Sequence, residues 1–159
     1  MALGKYPTDM AEKELADVLR ESFDYDLWAN RLWLPLLAPG EQEAELAVFK
    51  HILAASTVWV TRLEGTSLTA MPDVPATEDY LTELHRRWIA AFDRFKYGDV
   101  VAYRNTRGDS FTSCFGDIVR HVINHGTYHR GQLRGMCGLK GLPFPETDYI
   151  GFAFQRDGL

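Results

Sequence analysis

Gly116–Leu133 reads GDIVRHVINHGTYHRGQL, and histidine returns in it at every fourth position, as His121, His125 and His129. Four residues of helix advance about 6 Å and turn about 40° past a full circle, so adjacent members of this series share a face and can close on one ion. The outer two lie about 12 Å apart along the axis, too far for bonds of about 2 Å to a single cation. At most two neighbouring histidines of this helix act together, and a third ligand has to come from another segment.

The rest of the same segment is consistent with a helix running to about Gly138. Thr112 or Ser113 is the expected N-cap, and Asp117 in the first turn suits the helix dipole. Gln132 and Met136 follow His125 and His129 on nearly one stripe, with Ile118 before them, while Arg130 projects roughly the opposite way. Gly131, Gly135 and Gly138 gather on a third side, where each costs about 1 kcal/mol relative to alanine. Close approach of another helix or a partner subunit would offset that cost; otherwise the helix frays after Gly131.

The remaining histidines are His51 and His85. His51 lies in QEAELAVFKHILAASTVWVTRLEG, residues 42–65, accompanied around one broad side by Val48, Ile52, Ala55, Val58 and Trp59, the side a bundle buries. His85 lies in TEDYLTELHRRWIAAFDRF, residues 77–95, at the edge of an inward stripe made by Tyr80, Leu81, Leu84, Trp88, Ala91, Phe92 and Phe95. Both remain candidates for the third ligand, and His51 has the better-placed face.

Those segments are two of four expected helices. The first spans about Asp9 to Leu37, with Leu15, Val18, Leu19, Phe23, Leu27 and Trp28 inward and Pro35 ending or kinking it. The second stops at Gly65, which suits a left-handed position after the helix end. A loop rich in Pro, Thr and Asp leads to the third, about Glu78 to Lys96. VVAYRNTRGDSFTSCF, residues 100–115, instead alternates and carries Gly-Asp near its middle, which predicts a short β-hairpin. The tail GLPFPETDYIGFAFQ should pack back as a loop and short helix. Four long helices in such a chain point to an all-α four-helix bundle, a fold that commonly holds metals between facing helices.

The chain has 159 residues, 46% of them hydrophobic, enough for a single domain over 1–159 with a real core. Its net charge is −5 and its basic residues are scattered, so no nucleic-acid footprint is present. The N-terminal stretch lacks the pattern of a signal peptide, and Lys50 and His51 interrupt the longest apolar run, so no membrane span is expected and the cytoplasm is the expected compartment. Cys114 and Cys137 fall near opposite ends of one helix, beyond disulfide reach, and fit a reducing environment.

FKHILAASTVWVTRLEG in the second helix, HVINHGTYHRGQL in the fourth and the ending LPFPETDYIGF together resemble the DinB family, the DinB/YfiT-like group of metal-dependent proteins, over almost the whole chain. The resemblance implies a four-helix bundle of up-down-down-up topology, commonly a homodimer. It also implies a divalent metal held by one histidine of the second helix and two of the fourth, which map onto His51, His125 and His129. His121, often histidine in such sequences, then becomes a neighbour of the ligands; Gln132, on the stripe of His125 and His129, and Tyr128 are candidates for the same role. Related proteins are thiol transferases or isomerases that use a low-molecular-weight thiol such as bacillithiol, mycothiol or glutathione. Members are also associated with DNA-damage-inducible expression, a stress-response link that does not imply DNA binding.

Three neutral imidazoles leave a metal its full double charge and an open coordination position, the layout of a catalytic zinc site. Such an ion acidifies a bound thiol or water. The leading expectation is metal-assisted transfer of a thiol to a small electrophile, with hydrolysis as the enzymatic alternative and a metal-binding stress-response module without turnover as the non-enzymatic one. Zinc and nickel both suit nitrogen ligands. Tyr103, Tyr128, Gln132 and Asp148 are the acid–base candidates, and neither cysteine is placed as a nucleophile.

Overall fold

The computed structural model describes residues 9–37 and 40–158, with side chains of the first helix described from residue 14 onward. Helix α1 spans Asp9–Trp33 and passes into a 3-10 turn at Leu34–Leu36; α2 spans Glu43–Leu63, α3 Glu78–Arg94, β1 Val100–Arg104, β2 Ser110–Cys114, α4 Phe115–Leu139 and α5 Tyr149–Asp157. The protein is mostly helical with one small two-stranded sheet. Helix α1 packs on α3 and α4, and α2 packs on the same two.

Apolar side chains at helical spacing explain this packing. Phe23 of α1 stacks on Trp88 of α3 with ring centroids 4.3 Å apart, and meets Phe92 edge-on at 5.9 Å. The Trp88 indole N–H donates to Ser56 Oγ of α2 at 2.8 Å, so the polar end of a buried ring is satisfied within the core. Val18, expected inward, is 61% exposed. Helix α1 ends earlier than expected, at Trp33, because Pro35 has no N–H to continue the ladder and sits in the 3-10 turn instead. Gly65 takes φ +89° just past α2, the left-handed position its identity predicts.

Helix α2 is apolar enough to need comment. Its 21 residues reach the length and mean hydropathy of a membrane span, contrary to the expectation that Lys50 and His51 would prevent it. Phe49, Ile52, Leu53, Val58, Val60 and Leu63 spend that apolar surface on the core.

The hairpin forms where alternation predicts it, with Val100 opposite Cys114 and Arg104 opposite Ser110. Asn105 Oδ1 accepts from the backbone N–H groups of Arg107 and Asp109 and so closes the turn. The expected N-cap of α4 is corrected: Thr112 and Ser113 belong to β2, Cys114 is the N-cap, and no side chain caps there. The backbone N–H groups of Phe115 and Gly116 donate instead to the carbonyls of Asp99 and Tyr97, so the loop before the hairpin satisfies the helix end. That approach requires glycine at 116, since a Cβ would lie 2.2 Å from the Tyr97 ring.

Helix α4 does not fray after Gly131 but continues to Leu139. Among the described residues no second helix comes close to the three glycines on that side: nothing lies within 4 Å of a Cβ built on Gly131 or Gly135, and Gly138 meets only Phe144.

Candidate metal centre

Helices α2 and α4 run side by side with opposite sense, since His51 of α2 lies against His125 and His129 while Trp59, two turns further along α2, lies against His121, one turn before His125 on α4. One ligand atom from each of His51, His125 and His129 can be chosen so that all three lie within 4.8 Å of one another. Tetrahedral zinc with Zn–N bonds of about 2.0–2.1 Å needs its nitrogens about 3.3 Å apart, so small side-chain rotations complete the set. The three rings meet at centroid distances of 4.4–5.0 Å without stacking, two of the three pairs edge to face.

The cluster lies on the solvent-facing side of the α2–α4 seam, with His51 exposed and His125 and His129 half-buried. The exposure of His51 corrects the expectation that its side of α2 is buried. It leaves room for a fourth ligand from solvent.

Electrostatics favour the uncharged form. Desolvation, then the neighbouring His129, His51 and His121, push His125 down to about 4, against a weaker opposing effect of Asp26. Desolvation and His129 also lower His51. Neutral imidazoles with free lone pairs are what a divalent ion of borderline softness requires, so this donor set can hold one. His129 Nδ1–H donates to Gln132 Oε1 at 2.8 Å, which fixes the tautomer and leaves Nε2 free.

In the metal-free protein the depressed His125 value ties stability to pH. The unfolded chain takes up a proton near 6.5 and the folded one only near 4, so the unfolded state binds more protons between those values. Stability should therefore fall as pH drops from about 6.5 towards about 4 and level off below. Urea midpoints across that range check this, with His125→Gln expected to flatten the slope.

The other sequence candidates separate. His85 is engaged elsewhere, with Nε2 2.7 Å from Asp24 Oδ1. His121 is exposed, packs edge-on against Trp59 and lies outside the cluster, its ring 5.9 Å from that of His125. Tyr128 is 73% exposed and lays its ring edge-on to His129 at 5.0 Å. Tyr103 bonds Ser113 Oγ at 3.2 Å within the hairpin. Asp148 lines a different cavity, of about 360 Å³, between α1, α4 and the tail.

Behind the histidines lies a polar group that periodicity alone did not reveal. Arg130, on the far side of α4, is 2% exposed, and its Nη1 donates to Asp26 Oδ1 at 2.6 Å and to Asn30 Oδ1 at 3.0 Å. A Cβ at Gly126 would approach Asp26 Oδ1 to 2.9 Å, so glycine makes room for the pair. The available signal was Asp26 and Asn30, spaced by four on the side of the helix that also carries Phe23, Leu27 and Trp33.

The model of the DinB family matches residues 44–157, most of the chain and all three histidines. The chain belongs to the DinB family. Over 166 aligned residues this DinB-family chain is 23% identical to Protein DinB of Bacillus subtilis (strain 168), an alignment covering 89% of the present chain and 96% of that protein.

Proposed function

We propose that this DinB-family protein binds a divalent metal, zinc or nickel, through His51, His125 and His129, and transfers a low-molecular-weight thiol to a small electrophile. The observation that carries the reading is the convergence of three imidazoles from two helices on one partly open point. A divalent ion held there supplies a Lewis acid that keeps a thiol deprotonated near neutral pH. The chain supplies the rest. His129 is held in one tautomer by Gln132. The half-buried flank of His125 limits water on one side, and the exposed flank of His51 admits the thiol and the electrophile.

Four packed long helices support an up-down-down-up bundle as the scaffold, free Cys114 and Cys137 fit the cytoplasm, and the family together with the uncovered Gly131 and Gly135 of α4 supports a homodimer. The test is metal content after purification, followed by a screen of thiols against electrophiles, with sedimentation of the same sample reading the oligomeric state. Metal-dependent consumption of a thiol together with an electrophile is expected. Hydrolysis without thiol would favour metal-assisted hydrolysis, and bound metal with no turnover would favour a binding module.

A further inference from the structure

Arg62 follows His51 on α2 by eleven residues, close to three turns, so the two side chains leave the helix within about 20° of each other. Its guanidinium carbon stands 4.4 Å from the Trp59 ring centroid and 4.9 Å from that of Tyr103, which places the cation between helix and hairpin. Arg62 is 8% exposed. The other deeply buried charges are paired, Arg130 with Asp26 and Glu45 with Lys140. Arg62 has no acidic partner among the described residues, and its Nε–H is buried without an acceptor. A buried cation left unpaired is costly, and a bound anion removes that cost. Aromatic rings over the guanidinium faces leave its edge free for the two-point contact that a carboxylate makes.

The surroundings indicate what carries that anion. From the histidine cluster, side chains continue along the α2–α4 seam in short steps: His125 to His121 at 5.9 Å, His121 to Trp59 at 5.4 Å, and Trp59 to the Arg62 guanidinium at 4.4 Å. His121 is exposed along this strip, and His125, Trp59 and Tyr103 are half-buried. An extended molecule engaged at the cluster reaches Arg62 by lying across His121 and Trp59.

We infer that Arg62 recognises a carboxylate on the small thiol held at the histidine cluster, with the body of that molecule lying on His121 and Trp59. This rests on the reading of the cluster as a metal-held thiol site.

The experiment uses cobalt(II)-loaded protein, whose visible spectrum reports the metal and whose sulfur-to-cobalt charge-transfer band reports thiol binding. Mercaptoalkanoic acids of increasing chain length, with the thiol and carboxyl at opposite ends, are each compared with the mercaptoalcohol of equal length. At a matching length the acid should bind about 10- to 100-fold more tightly. Arg62→Met, which keeps the aliphatic stem between the rings, should erase that preference while leaving alcohol affinity and the cobalt spectrum unchanged, and Arg62→Lys should restore part of it. Equal binding of acids and alcohols at every length overturns the inference and leaves the metal-site reading standing. If cobalt or thiol fails to bind, that reading fails instead, and metal-free protein decides the role of Arg62. The Arg62 Nε–H resonance, assigned by its loss in Arg62→Met, is then titrated with hexanoate: a saturable shift absent with hexanol supports carboxylate recognition, and no shift overturns it.

Discussion

His125→Ala should abolish tight metal binding, raising Kd by roughly two hundred- to several-thousand-fold. That corresponds to about 3–5 kcal/mol for one ligand of a set whose total lies on the order of 10 kcal/mol or more. His51→Ala and His129→Ala should lose comparable amounts, because all three nitrogens belong to one cluster. His85→Ala should leave affinity unchanged, since that ring is committed to Asp24. His121→Ala should act mildly, and Gln132→Ala should cost about 10- to 100-fold by releasing the His129 tautomer while leaving metal-free stability unaltered. Competition titrations against a chromophoric chelator separate these cases. Loss of binding in His121→Ala with retention in His129→Ala would show that the other adjacent pair holds the ion.

Asp26→Ala should destabilise the protein by about 3–5 kcal/mol, the usual result of stranding one member of a buried ion pair. Arg130 is 2% exposed and would be left with only the neutral Asn30 and Thr127 as partners. Urea denaturation is the measurement. Asp26→Leu combined with Arg130→Met, which removes both charges and keeps apolar volume, should lose clearly less than either single change. Asp26 also opposes the depression of His125, so the Asp26 variants should titrate that histidine at still lower pH.

Both regions show how far sequence carries. The histidine series was legible because helical rise alone limits which members can share an ion, and the apolar stripes of α2 and α3 favoured His51 over His85 before any coordinates. The hairpin was legible from its alternation and turn residues. The start of α4 was not, because its first N–H groups are satisfied by the carbonyls of Asp99 and Tyr97, residues that the sequence does not show to be adjacent. Arg130 was read only as pointing away from the histidines; that it points at Asp26 depends on how α1 packs against α4. The exposure of His51 was likewise missed, since a broad apolar side of a helix does not reveal where its buried sector stops.

The split of the three histidines between one helix and another far along the chain gives metal a second effect. The unfolded chain offers an ion only the local pair on the α4 segment, whereas the folded one adds His51 from across the intervening α3 and hairpin. An ion so held acts as a removable cross-link that closes a long loop, and it favours the folded state by an amount that grows with the logarithm of free metal. With the proposed site filled, melting temperature should follow metal supply, and a chelator should act on this protein as a mild denaturant.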